Sequence, residues 1–472
     1  MSNSELRRRK VKEHNEKATN RKRKSKDVRP KSIHQSLLCL IISVTVLTLF
    51  VVLYTDQIPW YLGHKAVDHV AKQFGYYKPV YAVIIDAGST GSRVLAYTFH
   101  ESYLGEHLVL DKELFDYNKP GLSSFAKEPE KGAQMIQRLL EKAKKEIPEQ
   151  YWNKTPLILK ATAGLRLLPV EQAENLLNAV RDLFKKTPFL TKQQSVEIMD
   201  GTDEGIFSWF TVNFLLERLN GNPLNTVAAL DLGGGSTQVT FYAVTPASLQ
   251  DKKHIHHAAS PSGPIPVFTH SYLGLGLMAA RKAVITFGNE DVKNVTCECV
   301  NPLIRDKKFH YHGIDYWVSG LDQNYPTSQT RDNEFYVGET VPIVNFTKCS
   351  NIISNYVRDI SSKTKPPAEL PSKVIFAFSY YYDKASAAGL IDFTKGGQVK
   401  VEDFKKTAEK TCKEANVDQP FICMDLTFIW ILLEKGFGLS LDTKIYLYKK
   451  INGHEISWAL GSAYDLLRGT TN

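Results

Sequence analysis

Asp86-Ala87-Gly88-Ser89-Thr90-Gly91-Ser92-Arg93-Val94 and Asp231-Leu232-Gly233-Gly234-Gly235-Ser236-Thr237-Gln238-Val239 are two versions of one pattern. Each follows an apolar run, Val83-Ile84-Ile85 in one case and Ala228-Ala229-Leu230 in the other. Each leads into another, Leu95-Ala96-Tyr97 and Thr240-Phe241-Tyr242. Both therefore read as strand, tight Gly/Ser/Thr turn, strand, with an aspartate closing the first strand. A fold that carries the unit twice has to place two such turns, and two facing turns can hold a phosphate chain.

The reason lies in the backbone. Glycines let the chain approach an anion and aim its N–H groups at it. Serine and threonine hydroxyls add donors. The aspartate repels phosphate, but it can hold a divalent cation through water, and the cation then neutralises the phosphate.

Length admits two domains plus additional segments. The formal charge of +9 is concentrated at one end. Residues 1–32 hold 13 Lys/Arg against 4 Asp/Glu, which accounts for the whole excess. The remainder is neutral, so the basic pI gives no reason to expect nucleic-acid binding by the folded part. A low-polarity run follows, Leu37 to Tyr54, interrupted only by Ser43, Thr45 and Thr48. It is near the lower limit for a bilayer span. The long basic lead and the lack of a small-x-small site near residue 56 favour an uncleaved anchor with the basic side cytoplasmic. The expected arrangement is a tail over 1–36, an anchor over 37–54, a stem over 55–78, and a folded part in the lumen or outside. No second apolar span is expected before Asn472.

Sequons at Asn153, Asn294 and Asn345 agree with a lumenal location, although Pro156 makes the first a poor acceptor. Of six cysteines, Cys39 lies in the apolar run and five fall in the back half. None has C-x-x-C spacing. In an oxidising compartment, Cys412 with Cys423, and Cys349 with either Cys297 or Cys299, are plausible disulfides, leaving one thiol over.

Periodicity organises the rest. Ala133, Ile136, Leu139, Leu140 and Ala143 share one face of a helix over 131–147 that Pro148 ends. Ala173, Leu176, Leu177, Val180 and Leu183 define a second. Strands are expected at 156–159 and 196–199, and helices through Trp209 and over 401–415, 424–435 and 456–468. Strands alternating with helices argue for an α/β protein. Residues 250–350 read as loops over a second domain, and His254-Ile255-His256-His257 as a solvated loop.

A phosphoanhydride hydrolase must hold the terminal phosphates, screen them, aim a water and accept its proton. The two turns with Asp86 and Asp231 meet the first needs. Glu204, in Asp200-Gly201-Thr202-Asp203-Glu204-Gly205, can be the base, while Asp203 reads as a first-turn acid that complements the helix dipole. Ser236 and Gln238 can aim the water. Thr162 and Arg166 follow a strand and offer a hydroxyl and a guanidinium.

Together these segments closely resemble the nucleoside triphosphate diphosphohydrolases, the apyrase-type family. Its ordered motifs stand here as Ile85–Arg93, Lys160–Arg166, Gly201–Trp209, Leu230–Gln238 and Phe376–Tyr382. Further matches are Ser271–Gly276, Cys423–Leu426 and Trp458–Gly461, so the resemblance covers roughly residues 79–468. It implies two RNase-H-like α/β domains of the actin/hexokinase type, 79–200 with 446–472 and 201–445, and an active site in the cleft between them. It further implies that Asp86 and Asp231 position Ca²⁺ or Mg²⁺ through water. Gly88, Ser89, Thr90, Gly91, Ser92, Arg93, Thr162, Arg166, Gly233, Gly234 and Gly235 would line the phosphate site. Glu204 would be the general base, with Ser236 and Gln238 holding the water, and Tyr380 or Tyr381 would stack on the nucleobase.

The single span, Tyr380-Tyr381-Tyr382-Asp383 and Gly201–Gly205 look like the ER/Golgi members of types five and six. Those resemble diphosphatases that act on GDP, UDP and IDP and clear the diphosphates left by glycosyltransferases. A retained anchor points to the Golgi membrane, with the ER or a released soluble form as alternatives. The family's disulfides match Cys299–Cys349 and Cys412–Cys423, and Cys297 departs from that pattern. The rival readings are a broader apyrase that also cleaves triphosphates, a sugar kinase or exopolyphosphatase on the same fold, and a lumenal receptor or scaffold without activity.

Overall fold

Each Asp-turn unit forms a β-hairpin at the centre of its own sheet. The computed structural model describes residues 31–54, 60–103, 107–260, 263–288, 292–321, 327–329, 340–362 and 366–468. The described chain falls into two units, Met1–Tyr77 with Ser102–Glu106, and Lys78–Glu101 with His107–Asn472.

In the larger unit the first sheet has the strand order β3-β2-β1-β4-β5. Its strands are β1 (Pro79–Ala87), β2 (Ser92–Glu101), β3 (Leu108–Asn118), β4 (Leu157–Ala161) and β5 (Val196–Ile198). β1 runs antiparallel to β2 and parallel to β4. The second sheet repeats this plan. β6 (Ala228–Leu232) is antiparallel to β7 (Ser236–Tyr242) and parallel to Ile375–Ser379, which is followed by the parallel strand Lys444–Leu447. β9 (Ile265–Leu273) lies outside β7, with β8 (Ile255–Ala258) at one edge and Gly397–Lys400 at the other. The order 3-2-1-4-5 thus occurs twice.

Residues 250–350, read as loops from the sequence, instead supply β8 and β9, the helix Leu277–Ile285, a three-stranded sheet and the N-terminal part of the helix Phe346–Ser361. The histidine cluster accordingly lies in and beside the edge strand β8. Pro266 obscures β9 because proline normally demotes a strand; here it stands second in the strand.

Three apolar layers hold the sheets. The helices Pro129–Glu146 and Val170–Phe184 cover the outer face of the first sheet with the faces that periodicity predicts, except that Phe184 rather than Leu183 is fully buried. Between the sheets lie the helices Gly201–Leu215 and Trp458–Arg468. The first packs on β6, β7 and β9, and the second on β1. Trp209, Phe210 and Tyr464 meet there, with Phe210 and Tyr464 ring centroids 4.8 Å apart. A helix enclosed on both sides buries residues all round, and Gly201–Leu215 buries Ser208, Thr211 and Asn213 along with Trp209 and Val212. The third layer lies beneath the second sheet.

In the smaller unit, Lys31–Tyr54 is one continuous 24-residue helix. The Thr45 and Thr48 hydroxyls donate to the carbonyls of Ile41 and Val44 at 2.7 Å, so neither leaves a free donor on the helix surface. Among the described residues no helix is long and apolar enough to cross a membrane. The stretch whose side chains are described, 38–51, falls short of the roughly 20 residues a span needs. Residues 1–30 of the expected tail and 55–59 of the expected stem lie outside the described residues.

Candidate active site

In open α/β sheets ligands collect outside the carboxyl ends of the parallel strands, where the strand order reverses. β1 and β6 are those reversal strands. Asp86 is the last residue but one of β1 and Asp231 of β6, Thr162 follows β4, and Ser379 ends the strand beside β6. Ser379 has φ 57°, a strained value for serine, at the junction into the helix Tyr380–Ala387.

Hairpin register decides what faces each aspartate. Asp86 stands opposite Arg93, and Arg93 Nη1 donates to Asp86 Oδ2 at 2.8 Å. Asp231 stands opposite Gln238 but accepts instead from the Ser208 hydroxyl at 3.2 Å. Burial pushes both carboxyls up. Arg93 opposes the shift at Asp86, and serine hydroxyls oppose it at Asp231.

The second turn is tied down from behind. Gly233 O accepts from Leu277 N at 2.9 Å, Gly234 O from Met278 N and Ala279 N at 2.9 Å, and Gly235 O from Gly274 N at 2.8 Å. Gly233 N itself donates to Ser236 O at 2.9 Å, so with the carbonyls committed backward it is the N–H groups of Gly234 and Gly235 that the turn can offer forward. The two turns nearly touch: a Cβ at Gly234 would lie 2.1 Å from Ser89 Oγ and 3.1 Å from Thr90 Cγ2, so a larger residue there displaces side chains of the first turn.

Glu204 occupies the first turn of the helix Gly201–Leu215, which presses onto β7 and β9. The contact is close enough that a Cβ at Gly205 would lie 2.3 Å from Thr269 Oγ1. Glu204 Oε2 accepts from Gln238 Nε2 at 3.0 Å and pairs with the Arg166 guanidinium. Gln238 Nε2 also lies 2.8 Å from Ser236 Oγ and 2.9 Å from Ser271 Oγ. Burial pushes the Glu204 carboxyl up to about 7, Arg166 opposes the shift, and Asp231 and Asp86 add to it. A buried carboxylate that titrates near neutrality beside a polar array can exchange a proton at physiological pH.

A cavity of about 350 Å³ opens between these elements. Asp86, Gly88, Ser89, Thr90, Gly91, Arg93, Thr162, Glu204, Asp231, Gly233, Gly234, Gly235, Ser236 and Tyr380 all lie on its wall. Gln238 lies just behind Ser236. The Tyr380 hydroxyl donates to Thr90 Oγ1 at 3.2 Å and so spans from the second sheet to the first turn.

Besides Gln238, three expected positions do not reach the wall. Ser92 is fully buried in β2. Arg166 is committed to Glu204 rather than to the cavity. Tyr381 is fully buried in the core beneath the second sheet. A helix begins at Tyr380 and turns adjacent side chains about 100° apart; Tyr380 and Tyr382 line the cavity, and Tyr381 between them points into the core.

A family model described as the GDA1/CD39 (nucleoside phosphatase) family matches residues 77–472. The chain belongs to this family. It is 40% identical over 398 residues to the Homo sapiens protein named nucleoside diphosphate phosphatase ENTPD5, covering 82% of this chain and 88% of that one. It is 40% identical over 393 residues to ectonucleoside triphosphate diphosphohydrolase 6 of Rattus norvegicus, covering 81% of each. A nucleoside triphosphate hydrolase structure from Neospora caninum superposes with a TM-score of 0.56 at 14% identity, over 88% of this chain and 98% of that one, which is a likeness of fold.

In this GDA1/CD39 chain Cys299 is bonded to Cys349 and Cys412 to Cys423. Cys297 is a buried thiol that burial pushes up to about 12, which makes it inert. Sequence reasoning gave no role to Ser208 or Ser271. Ser208 lies four residues after Glu204 on one helix face, a spacing visible in advance. Ser271 stands opposite Gln238 across β7 and β9, which only the sheet register reveals.

Proposed function

We propose that this chain hydrolyses nucleoside diphosphates, GDP, UDP and IDP among them, to the monophosphate and inorganic phosphate. The observation that carries the reading is the Glu204–Gln238–Ser236 array set between two phosphate-type turns. Similarity to a nucleoside diphosphate phosphatase supports the substrate class. In this mechanism Gly88–Gly91 and Gly233–Gly235 hold the diphosphate, with Arg93 and Thr162 beside them. Ser236 and Gln238 orient a water in line with the terminal phosphorus. Both contacts of Glu204 fall on Oε2, which leaves Oε1 to take the water's proton. The new P–O bond forms as the bond from the terminal phosphorus to the bridging oxygen breaks, and that oxygen leaves with the monophosphate. Tyr380 supplies a ring for the base.

Asp86 and Asp231 fit a divalent cation. Asp86 Oδ1 is buried without a partner, and the wall carries five carboxylates, Asp86, Glu204, Asp231, Asp383 and Glu455, against three cations, Arg93, Lys119 and Lys449. Among the described residues no three His, Cys, Asp or Glu side chains gather as direct ligands, which suits Ca²⁺ or Mg²⁺ held through water. Such an ion supplies charge screening of the phosphates.

The same reading keeps the tail at 1–36, the anchor at 37–54 and the stem at 55–78. It places domain I at 79–200 with 446–472 and domain II at 201–445. The twice-repeated strand order supports the division, although Lys444–Leu447, a strand of the second sheet, argues for a return after residue 447 rather than at 446. The active part then faces the Golgi lumen on a type II anchor. Asn294 is exposed, and Asn345 caps a helix through Oδ1, leaving its Nδ2 for a glycan.

The test is phosphate release without an acceptor, using a panel of di- and triphosphates with Ca²⁺, Mg²⁺ or chelator. Release from GDP and UDP that chelator abolishes supports the reading. Release only when a hydroxyl acceptor is supplied contradicts it.

A further inference from the structure

Away from the cavity, the described core beneath the second sheet contains a charged triad. Asp425 Oδ1 accepts from Arg281 Nε at 3.1 Å and Oδ2 from Arg281 Nη2 at 2.6 Å. Lys384 Nζ lies 2.9 Å from the same Oδ2. The Asp425 side chain is 1% exposed and that of Arg281 10%. The Arg281 guanidinium also lies over the Phe421 ring, 4.5 Å from its centroid. Burial pushes the Asp425 carboxyl up, and the two cations outweigh it and hold it low.

Ion groups this deep add little stability over apolar packing of the same volume, because desolvation offsets their attraction. They do fix directions, and the two cations sit where direction matters. Arg281 lies one turn after Leu277, on the helix whose first N–H groups hold the carbonyls of Gly233 and Gly234. Lys384 lies one turn after Tyr380, on the helix that carries the cavity's aromatic wall. Asp425 itself is held, since Cys423, two residues earlier, is bonded to Cys412.

We propose that Asp425 is a positioning residue that fixes the second phosphate turn and the Tyr380 wall relative to each other, Arg281 being its arm to the turn and Lys384 its arm to the wall. The inference rests on the diphosphatase reading. Its two arms act on different steps, since the turn presents Ser236 to the reaction and the wall receives the nucleoside.

Arg281→Met and Lys384→Met in the full chain test it, each leaving Asp425 one cation. The measurement is steady-state hydrolysis of GDP and UDP, normalised to folded protein by circular dichroism. Misplacement of reacting groups by a fraction of an ångström costs rate, so Arg281→Met should lower kcat about tenfold with KM within about threefold. Lys384→Met should raise KM about tenfold with kcat within about threefold, and Lys384→Arg should restore KM. Equal changes in the same parameter for both variants, or no change in either, would overturn the proposal. No phosphate release by the unsubstituted chain overturns the diphosphatase reading and this one with it; release without the split overturns this one alone.

Discussion

The two Asp-turn units begin as near copies and end with different electrostatics. In the first, the residue seven positions after the aspartate is Arg93, which pairs with Asp86 across the hairpin. In the second it is Gln238, which turns from Asp231 toward Glu204, Ser236 and Ser271. One hairpin carries a compensated charge pair, and the other carries a neutral hydrogen-bonding array against a carboxylate that titrates near 7. An arginine at the turn offers donors to an anion; a neutral array beside a carboxylate suits presenting water. On the proposed reading, the single exchange of arginine for glutamine at matched register divides binding from chemistry.

Substitutions should separate the halves. The largest effect is expected in the second turn. Ser236→Ala or Gln238→Ala should lower kcat about a hundredfold or more with little change in KM, as loss of an interaction made in the transition state does. In the first turn, Arg93→Met should act mainly on KM, raising it about tenfold, because it removes binding common to ground and transition states. Equal kcat losses in both turns would break the comparison. Gly205→Ala should cost about 1–3 kcal/mol in denaturant unfolding by wedging the Glu204 helix off Thr269. The smallest effect separates the tyrosines. Tyr380→Ala should raise KM about fivefold by removing a stacking surface. Tyr381→Phe, in the core, should leave KM unchanged.

What the sequence discloses follows from how local each feature is. The Asp–turn–strand units, the two helices on the first sheet and Glu204 beside a helix start are short-range patterns, and the structure places them as read. The bond from Gln238 to Glu204 joins residues 34 positions apart and depends on Gly205 letting a helix approach two strands. No local pattern encodes that approach. Ser271 entered through register alone. Three consecutive tyrosines are indistinguishable until the helix start is known, and β9 stayed hidden behind Pro266. Arg166 is of a type that suits phosphate, and the fold pairs it with Glu204 instead.

The most direct test of the central claim is the pH dependence of kcat/KM for GDP. A base must be ionised to accept a proton, and burial raises Glu204 to about 7, so the rate should rise with pH along a limb whose midpoint lies near 7. Glu204→Gln should remove that limb together with at least about a thousandfold of the rate. A Glu204→Gln chain that is folded and keeps both the rate and the limb would contradict the account.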